Sequence, residues 1–228
     1  MTQTLRTATV ADRRMNDAAY AAEVLDAAEA AGLDFLVLGR EGELPFDPLV
    51  LAARAAPRVT NMGIVACVPM SLSHPFHVAR ALSAIDFLSG GKSGWAPVAA
   101  GAPAGMAEDM VRAAQALWDG WGADCLVIDK ASGHYLDSAK VKVPNYEGPF
   151  FKVAGPVNAM RPPQGHPLLV RLPGAIPGIA EVDVEIGAGA GHIDLSDPLA
   201  ELSTLAKAET RGEAATLRAR VGLSEVLA

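Results

Sequence analysis

Short unbroken apolar runs alternate with segments of helical period along this chain, and that alternation restricts it to one kind of architecture. Phe35-Leu36-Val37-Leu38 and the run Gly63 to Val68 (GIVACV) carry no charged, hydroxyl or amide side chain. A strand tolerates apolar residues on both faces only when both are covered, as in a parallel sheet flanked by helices. A first strand is expected over Leu5 to Val10. A helix follows over about Asn16 to Ala31, with Tyr20, Val24, Ala28 and Ala31 on one stripe and Gly32 as its stop. A second helix is expected over Phe46 to Val59. A third enters at His74 and presents Val78, Leu82 and Ile85, with Ser73 as its expected cap. Lys92 to Val98 starts a fourth strand, and Met106, Met110, Ala114, Leu117 and Trp121 mark the next helix. Repeated strand–helix units of this kind define an α/β fold built on a parallel sheet.

From Gly122 to His166 the pattern breaks into turn formers, with short strands expected at Cys125 to Ile128 and Phe150 to Val153. This excursion is followed by a fifth strand, Leu168 to Leu172, and a sixth, Val182 to Ile186. In the sixth, Asp183 and Glu185 alternate with Val182, Val184 and Ile186. An inner strand covered on both faces would not carry two carboxylates, whereas an edge strand uses them to block unwanted pairing. Asp183 and Glu185 are therefore expected in solvent and Val184 inside. The run Gly187 to Gly191 (GAGAG) reads as a flexible turn, since position 192 is His and the spacing of a phosphate-binding glycine loop fails. Beyond Pro198 a helix carries Leu199, Leu202 and Leu205, and no further strand is expected. The whole chain, 1–228, reads as one domain.

The formal charge of -7, with no Lys/Arg cluster, argues against nucleic acid or an anionic membrane as partner. The start MTQTLRTATVADRRMN lacks the apolar centre of a signal peptide, and no apolar run approaches spanning length. Cys67 and Cys125 are far apart and show neither disulfide nor zinc spacing, so a cytoplasmic protein is expected. His74 and His77 stand three apart, but no carboxylate or third His joins them at ligand spacing, and no metal site is assigned. Trp95, Trp118 and Trp121 suit either core positions or a ligand pocket, Trp95 being the best placed for a pocket. Asp129, Lys130, His134 and Tyr135 form a polar group expected on a surface loop.

Three motifs narrow the reading. They are HPFHVARALSAIDFLSGGKSGW from His74 to Trp95, LWDGW from Leu117 to Trp121, and GPVNAMRPPQGHP from Gly155 to Pro167. In this order they resemble the bacterial-luciferase-like flavin monooxygenases, in particular the branch acting on nitrilotriacetate, alkanesulfonates and sulfones. The resemblance implies a (β/α)8-type barrel. A complete one needs about 250 residues before insertions, so a chain with this excursion holds about six units and is expected to be incomplete at its C-terminal end. It also implies reduced FMN from a separate flavin reductase, O2, a small organic substrate, and a homodimer or a heterodimer with a longer relative.

The positions matched to the family's flavin contacts are Cys67, Ala96, Ala99, Arg171, Gly174 and Ala175. Where the branch usually reads NVVTS this chain reads Ala96-Pro97-Val98-Ala99-Ala100, a Tyr that contacts the phosphate falls on Ala104, and QAGSS becomes Arg171-Leu172-Pro173-Gly174-Ala175. Hydroxyl and charge-assisted hydrogen bonds contribute roughly 1.5–3 kcal/mol each, so these replacements imply weak FMN binding. Backbone amides at Gly174 and Ala175, helped by Arg171, are left as the expected anion contacts. The alternative function is a non-catalytic relative that binds flavin weakly, binds another apolar ligand, or partners a longer paralogue. No set of catalytic side chains is identified.

Overall fold

The computed structural model describes residues 5–174, 179–187, 191–205 and 214–226. Strand β1 (Thr7–Val10) leads to α1 (Ala18–Ala30), β2 (Phe35–Leu38), α2 (Pro48–Ala55), β3 (Gly63–Pro69), α3 (Pro75–Leu88), β4 (Ser93–Val98) and α4 (Met106–Asp119). The excursion holds two small antiparallel hairpins, β5 (Leu126–Asp129) with β6 (His134–Leu136) and β7 (Tyr146–Glu147) with β8 (Lys152–Val153). Next come β9 (Leu168–Arg171), β10 (Val184–Glu185), β11 (His192–Leu195), α5 (Pro198–Thr204) and α6 (Leu217–Arg220).

Local chemistry sets these boundaries. Asp17 and Asp47 cap α1 and α2, each carboxylate accepting from two amides of the first turn, and Pro48 fills the first position of α2. At α3 the cap is His74 rather than Ser73: its Nδ1 accepts from Phe76 N at 3.3 Å, and Pro75 begins the helix. The imidazole is thereby used in capping.

The seven-stranded parallel sheet has the order β10-β9-β4-β3-β2-β1-β11. Its inner face gathers Phe35, Val37, Val65, Cys67, Ala96, Val98, Leu168, Val170 and Ile186 into one cluster. Helices α1, α2 and α5 cover the outer face around β1 to β3. Helices α3 and α4 cover it around Trp95 and Leu169. The sheet curls far enough that its two edges meet across a cavity of about 220 Å³, lined by Val184, Glu185 and Ile186 on one side and Thr7 and His192 on the other. No ladder joins β10 to β11 among the described residues. The molecule is an incomplete barrel with an open seam.

The seam lies before the last strand rather than after it. β11, where the sequence pattern shows no strand, pairs with β1 as the closing strand of a barrel does. Its inward positions are polar, so the apolar alternation is too short to see: His192 reaches Thr7 Oγ1 at 2.8 Å and Thr9 Oγ1 at 3.3 Å. Only residues 186–191 separate β10 from β11, whereas a parallel crossover with its helix takes a dozen or more. No crossover helix can therefore lie between them.

Expectations for the sixth strand also change. It is limited to Val184–Glu185, and Asp183 is only 22% exposed. The Asp183 carboxylate accepts from Leu169 N and from Arg218 Nη1 at 2.8 and 2.7 Å, because the segment around α6 folds back over it. Glu185 is exposed and Val184 half-buried. That same segment closes the N-terminal mouth of the barrel. Leu217 inserts among Phe35 and Leu168, and a Cβ on Gly63 would stand 2.5 Å from it. Glycine at 63 is required by that approach.

The motif residues Asp86, Ser93 and Gln164 form one buried knot. Asp86 Oδ1 accepts from Ser93 Oγ (2.7 Å), Ser93 N (3.3 Å) and Gln164 Nε2 (2.6 Å), while Oδ2 accepts from Gln164 N (3.1 Å). Gln164 Nε2 also donates to Ser93 O, and Gln164 Oε1 accepts from Arg218 N. Burial pushes the Asp86 carboxyl up, and the four donors oppose that shift. Arg161 donates to Trp118 O and Asp119 beside it, fixing the loop that enters β9.

Asp86→Asn replaces one accepting oxygen by an NH2 group that faces donors, and should cost about 1–3 kcal/mol in urea unfolding. Asp26→Asn, at an exposed pair with Arg58, should change stability by less than about 0.5 kcal/mol. Equal effects would show that the knot contributes nothing special.

The pKa of the half-buried His192 is lowered from 6.5 chiefly by desolvation, against a raising effect of Asp194. A depressed histidine pKa adds stability above the unfolded value and loses it as pH falls. Wild type should therefore lose more stability than His192→Gln between about pH 8 and about pH 5, read as melting temperature; parallel curves would contradict the interior placement.

Candidate functional site

Barrel sites form at the C-terminal ends of the strands, where loops converge over the inner face. Here those ends are Gly39 to Glu41 after β2, Met70 and Ser71 after β3, Ala99 to Gly101 after β4, and Leu172 to Gly174 after β9. Cys67 and Ala96 sit opposite each other in the β3–β4 register, both fully buried on the inner face. Cys67 Sγ donates to Gly39 O at 3.1 Å. Burial, and secondarily the nearby Glu41 carboxylate, push this thiol far above the ordinary range. It is a packed thiol and no nucleophile.

The structure gives the β4 end a partner that sequence reasoning missed. Glu41 spans the mouth with both oxygens: Oε2 accepts from Ala99 N at 2.8 Å and Oε1 from Ala100 N at 3.1 Å. Ala100 has φ +46°, and its carbonyl accepts from Ser71 Oγ at 2.6 Å. Glu41 rides on a turn between Gly39 (φ +89°) and Gly42 (φ +76°), closed by a bridge between Arg40 and Glu43. The readable signal is an acidic residue between two glycines directly after a strand, Gly39-Arg40-Glu41-Gly42.

The remaining matched positions lie apart. Arg171 alternates with the inward Leu168 and Val170, so its side chain is on the outer face beside Leu169. There it pairs with Glu185 at 3.0 Å and donates to Ile179 O. Ala104 is exposed. Gly174 has φ +70° with open space where a Cβ would be, and Ala175 lies outside the described residues. The tryptophans belong to the outer layer: Trp95 and Trp118 are each 1% exposed, edge to face at 6.3 Å, and Trp118 Nε1 donates to Ala79 O. Trp121 Nε1 donates to Val157 O. Asp129, Lys130, His134 and Tyr135 sit exposed on the β5–β6 hairpin. Among the described residues no group of His, Cys, Asp or Glu is arranged to hold a metal ion.

These residues can be tested against FMN. The inner face at the mouth, with Cys67, Ala96, Val98, Val170 and Leu172, is apolar, but each of these side chains is already packed, 5% exposed or less, so a flat ring enters only where they part. A phosphate finds no side-chain donor free at the matched positions among the described residues: Ser71 is engaged, Arg171 faces outward, and the Ala99 and Ala100 amides hold a carboxylate. The donor set does not fit the phosphate in this arrangement.

Comparison with known proteins agrees with the architecture. The family model described as luciferase-like monooxygenase matches residues 2–221. N-acetyl-S-(2-succino)cysteine monooxygenase of Bacillus subtilis (strain 168) is 29% identical over 179 residues, covering 67% of this chain and 41% of the relative. Dibenzothiophene-sulfone monooxygenase of Rhodococcus erythropolis is 30% identical over 151 residues, covering 59% of this chain and 33% of the relative. A riboflavin lyase crystallised with modified FMN and riboflavin superposes with a TM-score of 0.65 at 28% identity, over 75% of this chain and 50% of that one. The matched region thus spans half or less of the length of each of these relatives.

Proposed function

This chain belongs to the luciferase-like monooxygenase family, and on that premise we propose that it serves the flavin-dependent oxygenation of a small organic substrate. Reduced FMN would come from a separate flavin reductase and be held transiently rather than as a resident group. The observation that carries this reading is the dry, apolar wall at the strand ends, with Cys67, Ala96, Val98, Val170 and Leu172 beside amides already engaged by Glu41. Such an interior excludes water, and a ring that parts these side chains packs among apolar groups with little grip for its phosphate. Reduced FMN, when bound, supplies the electrons that activate O2. The relatives support the reaction class by name, as monooxygenases of small molecules.

A second reading is a non-catalytic chain partnering a longer relative. The open seam between β10 and β11 and the filled amide pair favour it. A cytoplasmic setting accompanies either reading, since reduced flavin and the free thiols of Cys67 and Cys125 both suit a reducing compartment. Among the described residues no helix is long and apolar enough to cross a membrane.

FMN should not copurify in stoichiometric amount, and its affinity should be weaker than micromolar, a level that requires about 8 kcal/mol of net binding energy. Titration with oxidised and reduced FMN, followed by flavin fluorescence and by reductase-coupled O2 uptake with a sulfone or a thioether substrate, reads both. Tightly held yellow flavin overturns the transient-binding reading. Protein that binds no flavin and supports no uptake favours the non-catalytic reading.

The large apolar side chains Val50, Leu72, Phe87 and Leu88, exposed on or beside α2 and α3, support a homodimer or a heterodimer through this side. Light scattering at micromolar concentration should give twice the chain mass for the homodimer. A well-folded monomer would contradict self-association.

A further inference from the structure

Glu41 does something that the flavin reading does not require. A carboxylate from the loop after β2 reaches across to the end of β4, 58 residues on, and satisfies two successive backbone amides with its two oxygens. Successive N–H groups aimed at one point make a concavity that binds oxyanions. Here the concavity already holds one, supplied by the chain itself. Its shape is fixed independently: the left-handed Ala100 turns its amide into line, and Ser71 Oγ holds the Ala100 carbonyl on the other side. Among the described residues the Glu41 carboxylate makes hydrogen bonds to these two amides alone. It is carried between Gly39, where a Cβ would stand 2.5 Å from Leu44, and Gly42, where nothing lies within 4 Å of a Cβ. The carboxylate is therefore held at the site by these two bonds and by a short turn that is packed at Gly39 and open at Gly42.

We propose that the Ala99–Ala100 amide pair is an oxyanion-binding site at the barrel mouth, and that Glu41 is its built-in, displaceable occupant. A ligand carrying a phosphate, sulfonate or carboxylate group binds by replacing the Glu41 carboxylate, which swings out on its turn. The affinity of any such ligand is lowered by the fraction of time Glu41 is in place. Glu41 also satisfies the half-buried Ala99 amide and the exposed Ala100 amide when no ligand is present, which an apolar residue there could not do. The site stands on geometry alone and does not depend on flavin being the ligand.

The test uses the full chain with 15N-labelled backbone and inorganic phosphate as the probe. In Glu41→Ala and in the isosteric Glu41→Gln, phosphate should shift the Ala99 and Ala100 amide resonances saturably, at concentrations at least about 10-fold lower than in wild type. Glu41→Gln guards against a fold lost in the alanine variant, since it keeps one acceptor on the pair. Equal phosphate response in wild type and both variants, or shifts confined to other residues, overturns the proposal. A second arm compares FMN with riboflavin, which shares the ring and lacks the phosphate. Tighter FMN binding in the variants with riboflavin unchanged supports the site with the flavin phosphate as its ligand. Phosphate binding as stated, with FMN and riboflavin alike, supports the site with a substrate anion as ligand and counts against flavin phosphate there.

Discussion

A buried carboxylate with four donors around it organises this molecule. Asp86 sits at the end of α3, Ser93 opens β4, and Gln164 lies in the loop before β9, so one set of hydrogen bonds locks a helix, the strand that follows it and a strand beyond the excursion. Because Gln164 also receives the Arg218 amide, the segment around α6 is tied to the same point. An ion in that position is tolerable only if every partner is present, which makes the arrangement all or nothing. The positions of the β4 and β9 ends, and with them the candidate site, follow from that lock.

The seam and the closed floor are two sides of one economy of chain. Six residues, 186–191, connect β10 to β11, too few for a parallel crossover with its helix. The sheet still returns upon itself because β11 pairs with β1, leaving a side opening lined by Thr7, His192 and Glu185. Below, Leu217 fills the space at the strand starts, so the interior is sealed at its base and opens at its flank. Polar contacts lie beside the seam, with Thr7 and Thr9 meeting the His192 imidazole.

Much of this is legible in the sequence where burial is two-sided. Phe35 to Leu38 and Gly63 to Val68 announce themselves because a fully covered strand needs no alternation. The motif stretches point to the family because they encode the Asp86–Ser93–Gln164 lock, whose partners must coexist. β11 stays hidden since two of its four residues, His192 and Asp194, are polar, and the partners of His192, Thr7 and Thr9, lie at the far end of the chain. Asp183 departs from expectation for a related reason: its partner Arg218 comes from a segment 35 residues away with no local signature. At the site, the replaced positions Ala96, Ala99 and Ala100 are readable as losses. Glu41 is not, because a carboxylate engaged by backbone amides leaves no trace in the side-chain chemistry of its partner.

The closure of the floor by Leu217 bears on the order in which this protein can become finished. In synthesis the strands from β1 to β9 precede α6, so any sheet formed from them alone has Phe35 and Leu168 facing an open base. Gly63, which exists to admit Leu217, is at that stage a gap in the wall. The contacts that dry the interior at its base therefore depend on a segment made after the sheet, which also carries Arg218 to Gln164 and Asp183. The wall is made before its floor.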